Sequence, residues 1–136
     1  MFEAFVRAQD PIYGQVLAEL RAGEKRSHWM WFIFPQLKGL GRSATALRYG
    51  LDDLQMAQDY LRHDVLGPRL LECTRAVLGV SGRTAHQIFG SPDDLKFRSS
   101  MTLFSRAGPE QPAFAEALAK YYDGIEDVRT LELLGG

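Results

Sequence analysis

The 136-residue sequence has a single cysteine, Cys73, and only three histidines. One thiol closes no disulfide within the chain and builds no cysteine-based zinc site. His28, His63 and His86 show no HxxxH spacing, so they give no reading of a metal site. Long apolar runs are missing too. The longest is Trp29 to Phe34, far short of the ~20 residues a membrane-spanning helix requires. Neither sign of charge dominates: 16 Lys and Arg stand against 17 Asp and Glu, a net charge of −1. Without a global basic field, the chain has little to attract a nucleic-acid backbone.

What remains is the composition of one folded domain over residues 1–136, with 46% hydrophobic and 24% charged residues. Such a length buries roughly two-thirds of its unfolded surface and needs no staple. The start, MFEAFVRAQDP, lacks a basic segment followed by a long apolar one. No signal peptide is expected there. Together with the lone cysteine this suits a reducing cytoplasm.

Helical signals then follow one another. Phe2, Phe5 and Val6 suit a short first helix. Asp10-Pro11 reads as an N-cap followed by proline at the first helical position, opening a helix to Ala22 with Ile12, Val16 and Leu20 at i, i+4 and i+8 and Leu17 beside them. Gly23 stops it. Ser43 opens a short helix through Tyr49, and Asp52 or Asp53 the next, with Leu54, Ala57 and Leu61 on one side. Asp64 is expected to cap a helix whose stripe is Leu66, Leu70, Cys73 and Val77. Thr84 caps a turn of helix ending at Gly90. Ser91-Pro92-Asp93-Asp94 reads as a cap, a first-position proline and two carboxylates suited to the dipole, starting a helix to Gly108. Pro109 to Tyr122 and Val128 to Leu134 complete the series. Only the stretch around Trp29–Phe34 competes as a strand, and a lone strand has no partner. The expected fold is all-α, a single compact domain of about six to eight helices in an irregular orthogonal array.

Three segments go beyond periodicity: AQDP at 8–11, HWMWFIFPQL at 28–37 and GSPDDLKFRSSMTLF at 90–104. They resemble a bacterial family catalogued as domain of unknown function 1810, some of whose members carry the label calpastatin. The resemblance spans nearly the whole chain. It implies a compact helical protein of about this length, and it carries over no reaction, cofactor or catalytic residue.

The candidate site therefore comes from the residues themselves. His28 offers an imidazole for proton transfer or for an anion, against a plain role at a helix end beside Lys25 and Arg26. Trp29 and Trp31 lie two positions apart and diverge by about 160–200°, so at most one of them lines a ligand; Trp31 is the candidate. Gln36, just past Pro35, offers a carboxamide. In the segment Lys96 to Thr102, Phe97 and Met101 form the apolar stripe with Phe104, while Lys96, Arg98 and Ser99 supply cations and a hydroxyl suited to phosphate or carboxylate. Against this stands an Asp94–Arg98 pair at i, i+4, which explains Arg98 without a ligand.

The reading is a small anionic or nucleotide-like ligand held between segments 28–36 and 96–102 by His28, Trp31, Gln36, Lys96, Arg98 and Ser99. No cofactor is implied. The alternative is a non-enzymatic module in which the aromatic segment is core, or an exposed patch that docks a partner or a second copy. A third reading places nucleic acid on a local patch of Arg21, Lys25, Arg26 and Arg42, and the charge balance weighs against it.

Overall fold

Ser43, Asp53 and Thr84 show how local signals become structure. Each adopts an extended backbone, and its side chain accepts an N–H from the first turn of the following helix. Thr84 and Gln87 do so reciprocally, as a capping box. A computed structural model describes residues 1–135, and ten helices are found among them. They are α1 (Glu3–Gln9), α2 (Tyr13–Ala22), α3 (Met30–Ile33), α4 (Ala44–Tyr49), α5 (Leu54–Arg62), α6 (Leu66–Leu78), α7 (Ala85–Phe89), α8 (Asp93–Ala107), α9 (Pro112–Tyr122) and α10 (Val128–Leu133). Six have seven or more residues. The described residues contain no strand, only an isolated parallel bridge between Leu37 and Leu51. None of their helices is long and apolar enough to cross a membrane.

α8 is the central element. It packs against α5, α7, α9 and α10. Phe97, Met101 and Phe104 face the core as their spacing predicts, but Ser99, Ser100, Thr102 and Leu103 are buried as well. Hydroxyls off the apolar stripe therefore also lie inside. Ser99 and Thr102 satisfy themselves on the carbonyls of Leu95 and Arg98, one turn back. The stripe of α6 holds as read, with Leu66, Leu70, Cys73 and Val77 all at most 1% exposed.

Two proline signals led to the wrong first residue. At Asp10-Pro11 the helix begins later, at Tyr13, with Ile12 at the cap position. Asp10 instead ends α1, and its carboxylate pairs with Arg69 at 2.9 Å. At Ser91-Pro92, which is a cis peptide, Pro92 rather than Ser91 stands at the cap position of α8. Asp64 does not cap α6 either. Val65 stands at the cap position, and His63 Nδ1 accepts the N–H groups of Val65 and Leu66 at 3.1 and 3.2 Å. Likewise α9 starts at Pro112 rather than Pro109.

The aromatic stretch resolves as one helical turn, α3, which ends before Pro35 because the residue ahead of a proline is kept out of the helical region. Trp29, Met30, Ile33 and Phe34 are core, while Trp31 and Phe32 are half-buried. The segment preceding it is organised by a side chain that the apolar stripes did not flag. Glu19, on α2 and buried, accepts hydrogen bonds from the Arg26 and Ser27 amides at 2.8 and 3.1 Å. It also takes the Ser27 hydroxyl at 2.7 Å, the Trp29 indole N–H at 2.9 Å and the Gln15 carboxamide at 3.0 Å. Burial alone would raise its pKa; these five donors outweigh that and hold it down at about 2. Lys25 completes the arrangement. Its side chain is only 7% exposed, 2.9 Å from Asp93 and lying 5.0 Å over the Trp29 ring. The loop before α3 is thereby fastened to α2 and to the start of α8.

Candidate functional site

Leu37 and Leu51 set the frame of the site. Their bridge closes the intervening residues into a compact excursion that carries α4. Lys38 N–H donates to Leu51 and Leu51 N–H to Gln36, at 2.9 and 3.0 Å. Gly50 is needed at its base, because a Cβ there would lie 2.4 Å from Lys38 Cγ and 2.8 Å from the Ala46 carbonyl oxygen. Between this excursion, α3, the first turns of α8 and the start of α10 lies a cleft of about 460 Å³. That volume is within the range of small-molecule sites.

Four of the six residues read from the sequence meet there: Trp31, Gln36, Lys96 and Ser99. Lys96 Nζ stands 4.8 Å over the Trp31 ring, a cation–π contact, and 3.6 Å from Asp93. The Gln36 carboxamide has no hydrogen-bond partner among the described residues. An apolar wall is supplied by Leu40, Pro92 and Leu95. Deeper in, a recess between Met30, Phe34 and Tyr49 adjoins the same Trp31 and Lys96. At about 10 Å³ it has room for about one water molecule.

Two residues do not join them. His28 is exposed and does not line the cleft. Its neighbours turn inward to Glu19 and Asp93 and leave it outside. Arg98 also turns away, and not to Asp94. Its guanidinium donates to the carbonyls of Ile125 and Glu126 at 2.8 and 3.2 Å and lies 5.7 Å from the Tyr122 ring. Asp94 meets His86 at 3.3 Å instead. Arg98 is thus a fastener for the chain leading into α10. Arg106 does the same nearby, with two bonds to the Glu126 carboxylate at 2.7 and 2.8 Å, and the Asp127 amide donates to Thr102 Oγ1 at 2.9 Å.

Those fasteners matter because the α10 segment delivers residues that the sequence reading passed over. Asp127 and Arg129 line the cleft, as does Arg42 from the excursion. Asp127 is already engaged, since its Oδ2 caps α10 by accepting from the Thr130 amide and hydroxyl at 2.9 and 2.6 Å. Arg42 and Arg129 are exposed and form no ion pair or hydrogen bond among the described residues. Arg21, Lys25, Arg26 and Arg42 stand in different settings. The Lys25 side chain is buried against Asp93, Arg42 is in the cleft, and Arg21 borders a separate depression with Arg69 and Arg75. No three His, Cys, Asp or Glu side chains among the described residues group as a metal site would.

Replacing Arg98 by alanine removes two charge-assisted bonds whose loss is expected to ease local opening by about 1–2 kcal/mol. Amide exchange over 123–134 should then speed up roughly tenfold, with α2, α6 and α8 unchanged. Uniform acceleration along the chain would instead mean that Arg98 supports the whole core.

No curated protein matches this chain. The crystal structure of the conserved hypothetical protein Rv1873 from Mycobacterium tuberculosis is similar at 59% sequence identity, with a TM-score of 0.97, over 98% of this chain and 96% of that one. The family described as Protein of unknown function (DUF1810) matches residues 1–134. With that match over almost its full length, and with the helical fold that accompanies it, the chain belongs to this family.

Proposed function

We propose that the protein binds a small anionic organic molecule in the cleft between α3, the α4 excursion, α8 and α10. The observation that carries this reading is the convergence of Lys96, Arg42 and Arg129 on one cleft that also has an apolar wall and the unpaired carboxamide of Gln36. Cations supply attraction, the wall supplies desolvation, and the carboxamide supplies orientation. The Ser43 and Ser99 hydroxyls are engaged with backbone groups, and neither contacts a base. The proposal is accordingly one of binding and names no reaction. The single cysteine, buried and with its thiol pushed up to about 12 by burial, suits a reducing compartment, and we place the protein in the cytoplasm.

A thermal-shift screen against nucleotides, phosphorylated metabolites and organic acids tests this. A ligand of the native state raises the melting temperature by mass action. At a concentration about 100-fold above its Kd the gain is about 2.7 kcal/mol, and Lys96→Ala should abolish most of the shift. If no organic anion stabilises the protein, or if every hit is indifferent to Lys96→Ala, the cleft is not an anion site.

A further inference from the structure

The charges around the cleft constrain the anion further. Lys96 is shared with Asp93, which also faces Lys25 at 2.9 Å. Asp127 is the carboxylate among the lining residues, and its Oδ2 is committed to the Thr130 amide and hydroxyl. Of the cations on the cleft, the two that form no ion pair or hydrogen bond among the described residues are both guanidiniums, Arg42 and Arg129. They come from different elements, one from the residue before the α4 cap and one from the first turn of α10. A lone carboxylate is satisfied by one guanidinium fork. Two forks on one cleft match a dianion with three terminal oxygens, and the planar donor geometry favours phosphate. Arg129 also rides on a segment fastened by Arg98 and Arg106, so less ordering remains to be done when it closes on an anion.

The rest of the cleft limits what the phosphate is attached to. The apolar side chains of Leu40, Pro92 and Leu95 form a wall beside Trp31, too extensive for inorganic phosphate alone. The inner recess admits about one water, so the organic body lies along the wall rather than in the core. Gln36 stands where it can both donate to and accept from the polar edge of a heterocycle.

Resting on the anion-cleft reading above, we infer that the ligand is a phosphate monoester of a flat heterocyclic body, of the nucleoside monophosphate class, with Arg42 and Arg129 gripping the phosphate. Titration calorimetry with the common nucleoside 5′-monophosphates tests it, with the matching nucleosides and inorganic phosphate run beside them. At least one monophosphate should bind, and its nucleoside should bind about tenfold more weakly or worse. Arg42→Ala and Arg129→Ala should each weaken the monophosphate by roughly tenfold while leaving the nucleoside unaffected. Both side chains are exposed and unpaired, so the variants should fold; an unchanged melting temperature verifies this. Equal binding of nucleoside and monophosphate, indifference to both arginine variants, or no binding by any monophosphate overturns the inference. If in that event a different organic anion binds in a Lys96-dependent way, the anion cleft itself stands. If none does, both fall.

Discussion

Gly67→Ala is expected to destabilise the protein by about 3 kcal/mol or more and to lower its melting temperature by about 10 °C. In most helices this substitution helps, because alanine loses less backbone freedom than glycine and stabilises by about 0.4–1 kcal/mol. Here the space decides the sign. A Cβ on Gly67 would lie 2.1 Å from the carbonyl oxygen of Leu61 and 3.0 Å from its carbonyl carbon. Those atoms are backbone at the end of α5, so no rotamer change relieves the clash. α5 and α6 must separate, and both border the core through Tyr60 and Leu70. Gly14 provides the internal control. It sits in α2 with nothing within 4 Å of a Cβ, so Gly14→Ala should be neutral or mildly stabilising. Thermal melts of the two variants side by side check the argument. Equal and small effects would mean that the α5–α6 contact gives way without cost.

The second large effect concerns Glu19. Glu19→Gln keeps one oxygen for the Arg26, Ser27 and Trp29 donors, but it sets an NH2 group against the Gln15 carboxamide and the Ser27 hydroxyl and removes the charge that strengthens all five bonds. The variant should cost about 2–4 kcal/mol at neutral pH. The pH dependence follows from the direction of its shift. A carboxyl held at about 2 in the fold, against 4.5 when unconstrained, contributes stability that is fully present above pH 4.5. That contribution, on the order of 3 kcal/mol, disappears as pH falls from 4.5 toward 2. Denaturant unfolding of parent and variant across this range should show the gap between them narrowing as the medium acidifies. A gap that is constant with pH would mean that the charge on Glu19 is not what the five donors hold.

These two residues also mark where sequence reading ran out. The stripe of α6 was legible because burial repeats with the helical period, and the caps at Ser43, Asp53 and Thr84 were legible because their bonds span three residues. Gly67 gave no such signal, since its requirement comes from a carbonyl at the end of another helix. Glu19 stood beside Val16, Leu17 and Leu20, and a charge at the edge of an apolar face is the one hint that was available. At Asp10 the carboxylate that the motif offers as a cap is engaged by Arg69, and a partner that distant leaves no trace in a four-residue motif.

The candidate site was legible in the same uneven way. Trp31, Gln36 and Lys96 are only partly buried beside core residues, so the core positions them while they still reach the cleft, and Ser99 lines it from a buried position. Arg98 carried the right chemistry on the wrong face: its donors found the carbonyls of Ile125 and Glu126, which no local pattern links to it. Arg129 looked like an ordinary solvated charge, and Arg42 was grouped with Arg21, Lys25 and Arg26 rather than with the cleft residues. Only the fold brings them to one cleft.

The contrasting placement of the two tryptophans gives the molecule a pair of independent optical reporters. Trp29 is 1% exposed and hydrogen-bonded to Glu19, so its fluorescence follows unfolding of the core. Trp31 lies on the cleft with an ammonium group over its ring, so its emission responds to whatever displaces or neutralises Lys96. A Trp29→Phe protein would isolate the cleft signal and a Trp31→Phe protein the folding signal. Occupancy and stability can then be followed separately without attaching a dye.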